Sequence, residues 1–159
     1  MPKKLRVGWF SFSCCGDSTI IFTELWNDHY KEWAKSIEFK AFSSFQKKEE
    51  ISDLDVSFVE GAIASKEQED KLIKIRSVSQ KLVAIGACAV MGLPGGQRNN
   101  FDAKTIEEIS PILMRFNYNQ KVKKISEIVA VDEVVPGCPM DENIFLLLIN
   151  KYLGEFGII

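Results

Sequence analysis

Histidine is almost absent from this sequence. His29 is the only one, so a metal site built on paired imidazoles is excluded, and its place inside residues 20–35 gives it a structural or exposed role. Charge of one sign is lacking as well. Lys and Arg total 20 against 22 Asp and Glu, a formal charge of −2, which leaves no electrostatic footprint for nucleic acid or an anionic membrane. Long apolar runs are missing: nothing approaches the roughly 20 residues of a membrane span, and "IFLLLINKYLGEFGII" carries Asn150, Lys151 and Glu155. The opening "MPKKLRVGWFSFSCC" has two lysines and Ser13 ahead of a cysteine, but a secretory core needs roughly 7–15 continuous apolar residues, and Gly8 and Ser11 interrupt this one. It reads as a strand, and the protein is expected to be soluble and cytoplasmic. No internal repeat or low-complexity segment is present.

What is there is an alternation. Strand-like runs "LRVGWFSF", "IEFKAFSSF", "VSFVEGAI", "KLVAIGACA" and "VDEVVPGC" are interleaved with helix-like "IIFTELWNDHYKEWAK", "EQEDKLIKIRSVSQ", "TIEEISPILMRF" and "DENIFLLLINKYL". Such a pattern predicts an α/β fold, a doubly wound parallel sheet wrapped by helices. With 159 residues, 46% of them hydrophobic, the chain suits one domain over residues 1–159. "DVSFVEG" and "KLVAIGACA" are near-continuous apolar runs, as expected of central strands buried on both faces. Residues 91–102, "MGLPGGQRNNFD", hold three glycines, a proline and two asparagines and read as an irregular, functional loop. Residues 121–124 read as a small solvated basic cluster.

The four cysteines are Cys14, Cys15, Cys88 and Cys138, and each follows a predicted strand. In open α/β sheets ligands bind beyond the carboxyl ends of the strands, so one sheet edge would receive all four thiols. Glycine or proline accompanies each: Gly16, Gly86, Gly137 and Pro139. A lone cysteine of this kind is most often core; four at strand ends reverse that preference. Adjacent Cys14 and Cys15 suit neither a common disulfide nor a cytosolic setting. A four-thiolate zinc site remains conceivable, without the C-x₂₋₄-C pairs that structural zinc usually takes, and a [4Fe–4S] cluster is also held by four cysteines. The stretch "SFSCCGDST" also has the hydroxyls and glycine of a phosphate-cradling loop, as in a flavin protein, yet its central cysteines would then have no role. A metal loop in a flavodoxin-like frame is the better reading, with Asp17 or Ser18 capping a helix that begins near Thr19.

In order, "CC" after the first strand, "VSFVEGAIAS", "VAIGACAVMGLPGGQRN" and "ISEIVAVDEVVPGCP" resemble the iron–sulfur small subunit of [NiFe] hydrogenases, of the cytoplasmic bidirectional and sulfhydrogenase type, and the homologous 20 kDa-type subunit of respiratory complex I. The resemblance covers nearly the whole chain. It implies a flavodoxin-like, three-layer domain carrying one proximal [4Fe–4S] cluster, with Cys14, Cys15, Cys88 and Cys138 as ligands. It also implies a large-subunit partner with a nickel–iron site, further electron-transfer subunits, and a relay of electrons between that site and an acceptor or donor. Hydrogenases usually write the first pair as C-x-x-C; here Phe12 stands where its first cysteine would fall. Tandem cysteines are the complex I pattern, which gives the alternative of a quinone oxidoreductase subunit; a flavin-binding flavodoxin-like protein is a further one. No cysteines remain for additional clusters, so a single-cluster relay is implied.

Both tandem thiols can reach one cluster only if the backbone leaves β geometry there, because successive side chains of a strand point to opposite faces. Phe12 is then expected beside the cluster. Arg98 reads either as a donor to cluster sulfur or a partner, or as a solvated loop residue. Glu60 reads as a pocket carboxylate or as a strand end, and Trp9, Phe10 and Phe12 as core or interface aromatics.

Overall fold

The computed structural model describes residues 3–42 and 51–159. Strand β1 (Leu5–Ser11) lies between β2 (Ile37–Phe42) and β3 (Leu54–Glu60), parallel to both. Beyond β3 come β5 (Ser79–Ile85) and β7 (Glu133–Val135), again parallel, giving the order β2-β1-β3-β5-β7. Every residue of β3 is buried, polar Asp55, Ser57 and Glu60 included, as expected of a central strand covered on both faces. Residues 43–45, the end of the run "IEFKAFSSF", lie outside the described residues.

Alternation along β1 divides the core in two. Val7 and Trp9 face α1 (Asp17–Asp28), α2 (Tyr30–Ser36) and α6 (Glu142–Glu155), meeting Phe22, Leu25, Trp33, Phe145 and Ile149. Phe10 faces the other side, where α3 (Lys66–Ser77) and α4 (Gly86–Met91) contribute Leu72, Ile75 and Ala89. Each fully buried Leu, Ile or Phe contributes about 1.5–3 kcal/mol relative to exposure. Helices on both faces of a parallel sheet make the fold the doubly wound α/β class that the alternation predicts. Among the described residues no helix is long and apolar enough to cross a membrane.

Several boundaries depart from the sequence pattern. The helical stretch 20–35 is two helices broken at His29, which stands between α1 and α2 rather than mid-helix and stacks on Trp33 with centroids 4.9 Å apart. The run "VSFVEGAI" breaks after Glu60, and Ile63–Ser65 becomes β4, antiparallel to β6 (Tyr118–Lys123) in a separate two-stranded sheet. Residues 121–123 of the expected solvated cluster therefore belong to a strand, with Val122 buried and Lys123 paired to Glu69 at 2.9 Å. Within the loop 91–102, Gln97–Asn100 form a 3-10 turn; α5 (Ala103–Arg115) follows it and accommodates Pro111.

Candidate metal centre

Cys14, Cys88 and Cys138 each stand three residues beyond the end of a strand, after Ser11, Ile85 and Val135 respectively. The strand between β1 and β5 ends on Glu60. One pocket at this edge is lined by all four cysteines with Asp17, Ser18, Glu60, Gly86 and the residues flanking Cys138. Cys88 lies within α4 rather than in the strand, and Cys14 packs half-buried against Ala62, Ala64, Cys88 and Val122. Cys15 and Cys138 are exposed. Among the described residues no three His, Cys, Asp or Glu side chains converge as one metal ion would require.

The tandem cysteines lie outside β geometry. After Ser11 only Ser13 makes a further bridge, to Ala62, and the chain then bends at Cys14. Gly16, at φ +86°, turns it into α1, which starts at Asp17 with no side-chain cap. Neither Asp17 nor Ser18 caps this helix, contrary to the sequence expectation. The role falls to Glu60, whose Oε1 accepts the Ser18 N–H at 3.0 Å; a carboxylate from a neighbouring strand suits the positive end of a helix as well as a local one does. Its Oε2 accepts from Ser11 Oγ at 3.0 Å and from the Thr19 hydroxyl. Glu60 thus both ends a strand and lines the pocket.

Three loops are tied together here by bonds that composition did not reveal. Ser18 Oγ accepts from the Met140 N–H at 3.1 Å, and Ala87 N–H donates to the Gly137 carbonyl at 2.7 Å, so the segments of Cys15, Cys88 and Cys138 are mutually fixed. On the other side Gln68 of α3 bonds Ser13 Oγ and accepts from the Ala64 N–H at 2.7 Å. Neither Ser18 nor Gln68 carries a recognisable motif; the one signal was Ser18 among several hydroxyls after the cysteine pair.

Burial sets the thiol chemistry. The Cys14 thiol is pushed up to about 12, by burial first and by the facing Glu60 carboxylate next, against a lowering bond from the Gly16 N–H. Cys88 is raised by burial, with the Gly95 N–H opposing. Metal ligation needs thiolates, so these two would release protons on loading.

Two expectations are corrected. Phe12 does not line the cysteine pocket; it packs half-buried with Phe10, Leu72 and Ile75 on the α3 side. Arg98 points to no sulfur and is not a free loop arginine: it donates to the backbone carbonyls of Asn119 at 2.6 Å, Gln120 at 3.3 Å and Ala64 at 3.4 Å, pinning the loop to β6 and β4.

The sequence profile of the NADH ubiquinone oxidoreductase 20 Kd subunit family matches residues 14–152, from the first cysteine to the last helix. The chain belongs to that family. Its relatives include one component of the F420-non-reducing hydrogenase of Methanothermobacter thermautotrophicus, 30% identical over 87% of this chain and 50% of the relative. The delta subunit of sulfhydrogenase 2 from Pyrococcus furiosus is 27% identical over 94% of this chain and 63% of its own length. This family member therefore spans about half to two thirds of the length of those relatives. In structure it is similar to a chain of an NAD+-reducing [NiFe]-hydrogenase in the H2-reduced state, with a TM-score of 0.81, 23% identity, and coverage of 96% of this chain and 93% of that one.

Proposed function

We propose that this family member is the electron-transfer small subunit of a cytoplasmic [NiFe] hydrogenase, with Cys14, Cys15, Cys88 and Cys138 holding one [4Fe–4S] cluster. The observation that carries the reading is the delivery of four cysteines from three strand ends to one pocket. The donor set suits such a cluster: sulfur only, with the Gly16 and Gly95 N–H groups directed at Cys14 and Cys88. A cubane offers each thiolate its own iron, so the sulfurs need not converge on a single ion, as a tetrahedral zinc would demand. The cluster would supply one-electron storage and release. The chain's own residues do the rest: N–H donors stabilise thiolate charge, the apolar floor of Ala62, Ala64 and Val122 excludes water, and Glu60 adds a negative field that favours a lower potential. Bond chemistry at hydrogen belongs to a large subunit with a nickel–iron site, seated over the exposed Cys15 and Cys138; further electron-transfer subunits complete the relay.

The bend at Cys14 and Cys15 favours a second reading, a complex I-like quinone oxidoreductase subunit, since tandem cysteines are that branch's pattern. The partner separates the two: co-purification with a large subunit that contains nickel supports the hydrogenase, and one that lacks it supports the quinone enzyme.

Anaerobically purified protein is expected to contain about four iron and four sulfide per chain without stoichiometric flavin. Cys88→Ser or Cys138→Ser should lose or convert the cluster, because a harder oxygen ligand suits iron–sulfur centres less well. Stoichiometric zinc without iron, or an unchanged cluster in both variants, would reject the assignment.

A further inference from the structure

All three tryptophans of the chain, Trp9, Trp26 and Trp33, belong to one connected series of rings, within a larger aromatic cluster, that begins next to the cysteine pocket and ends at the surface. Trp9 stacks on Phe22 with centroids 4.3 Å apart, and Phe22 on Trp33 at 6.3 Å. Trp33 lies 6.0 Å from Trp26, and Trp26 6.1 Å from Tyr30, which is 57% exposed. At the inner end, Trp9 Nε1–H donates to Thr19 Oγ1 at 2.9 Å, and the Thr19 hydroxyl donates to Glu60, which lines the pocket.

Indole and phenol rings are the protein side chains most readily oxidised by one electron without bond cleavage, and removing that electron makes the ring N–H or O–H strongly acidic. A buried indole is therefore oxidised more readily where a proton acceptor is in place. Trp9 has one through Thr19. Packing alone accounts for the ring stacking, but not for the presence of every tryptophan in one connected series of rings from beside the pocket to an exposed tyrosine.

We propose that this series is a protective path that carries oxidising equivalents from the cysteine pocket to Tyr30. The inference rests on the reading above that iron is held at the cysteines. The oxidant is the hydroxyl radical, which iron held at the cysteines would supply from hydrogen peroxide, together with hydroxide, by giving up one electron. The radical takes one electron from Trp9 and becomes hydroxide. The Nε1 proton moves to Thr19 as the Thr19 hydroxyl proton moves to Glu60. An electron from Trp33, bridged by Phe22, then refills Trp9, and its proton returns from Glu60. Trp26 refills Trp33 and Tyr30 refills Trp26. Tyr30 loses its phenolic proton to solvent, and hydroxide takes up a proton to become water. The sum is hydroxyl radical plus tyrosine giving water plus tyrosyl radical, and a soluble thiol then restores the tyrosine by hydrogen-atom transfer. The same electrons taken from Cys138 or Met140 would instead leave covalent damage at the site.

The test exposes the purified protein, its iron measured in the same sample, to hydrogen peroxide with a radical scavenger in the bulk solution, and reads freeze-quenched electron paramagnetic resonance and the sites of oxidation by mass spectrometry. A tyrosyl signal and oxidation at Tyr30 are expected. In Trp9→Phe and Trp33→Phe both should fall to the scavenged background while oxidation shifts to Met140 and the cysteines. Tyr30→Phe, a surface change that leaves the core intact, should replace the tyrosyl signal with a tryptophanyl one. An iron-loaded protein whose Tyr30 oxidation is unchanged in both tryptophan variants would overturn the path alone. A preparation without iron would overturn the cluster reading, and the path's source of oxidant with it.

Discussion

Two glycines with nearly the same positive φ should respond very differently to alanine. Gly16 and Gly61 have φ +86° and +93°, where an L side chain costs roughly 1–2 kcal/mol. At Gly16 an added Cβ meets nothing within 4 Å, so this backbone cost stands alone, offset by about 0.4–1 kcal/mol from a stiffer unfolded chain. Gly16→Ala is therefore expected to destabilise by about 1 kcal/mol. At Gly61 the Cβ would sit 2.9 Å from the Phe12 carbonyl carbon and 3.0 Å from the Ser13 nitrogen. Those atoms cannot retreat freely, because Phe12 N–H donates to the Glu60 backbone carbonyl at 2.8 Å and Ser13 exchanges both backbone bonds with Ala62 at 3.0 Å. Overpacking of this kind adds about 1–3 kcal/mol, which places Gly61→Ala near 3 kcal/mol or above. The displaced atoms lead directly into Cys14, so iron content should fall in Gly61→Ala more than stability alone explains. Urea unfolding of the two variants, with iron assayed in each, checks this. If Gly61→Ala costs no more than Gly16→Ala and retains its iron, the close approach of β3 to the cysteine turn does not position the site.

In the metal-free chain at neutral pH, iodoacetamide should modify exposed Cys15 and Cys138 well before Cys14 and Cys88, whose thiols burial keeps protonated; equal rates at Cys14 and Cys15 in peptide mapping would contradict the placement of Cys14. Glu60→Gln should bring the Cys14 thiol down from about 12 while leaving it above an ordinary thiol, because burial is the larger cause; a thiolate absorbance titration that does not move would rule out the facing charge. At the opposite end of the sheet, burial tends to raise the Asp55 carboxyl but its bonds to Arg6 win, leaving it below the ordinary value. Its contribution is thus complete above pH ~4 and is lost as the pH falls through the depressed value. Arg6→Met should cost about 2–3 kcal/mol, less than a fully buried pair, since Arg6 keeps partial exposure, and should flatten that acid limb of the stability curve; a limb unchanged in the variant would assign the acid sensitivity elsewhere.

How much of this was legible in the sequence depended on whether a residue's partners lay within reach of a periodic pattern. The near-continuous apolar runs "DVSFVEG" and "KLVAIGACA" announced the central strands β3 and β5, and the cysteines announced the carboxyl edge, since being three residues past a strand end needs no knowledge of the rest of the fold. The two-stranded sheet was illegible: of "YNQKVK" only Val122 is buried, so the strand exists through β4 and the Arg98 and Asn99 bonds rather than through its own hydrophobicity. The break at His29 was hidden for a related reason, because Phe22, Leu25 and Trp33 keep facing one core across it.

Phe12 is the instructive miss, because strand parity contained the answer. Trp9 and Ser11 share the face toward α1, where Ser11 reaches Glu60 and Thr19, and Phe10 and Phe12 share the face toward α3. Period-two alternation therefore sends Phe12 away from the pocket, whatever a relative places at that position. Parity fails one residue later. Ser13 should return to the α1 side, yet its hydroxyl meets Gln68 of α3, so two consecutive side chains face the same helix and the backbone has left the strand before the first cysteine. What imposes this is remote in sequence: the bare backbone of Gly61 lets Phe12 and Ser13 come close, and Gln68 holds Ser13 there. Two adjacent thiols can face one pocket because the turn begins ahead of them, and that turn is held from β3 and α3, where no inspection of "SCCG" would look for it.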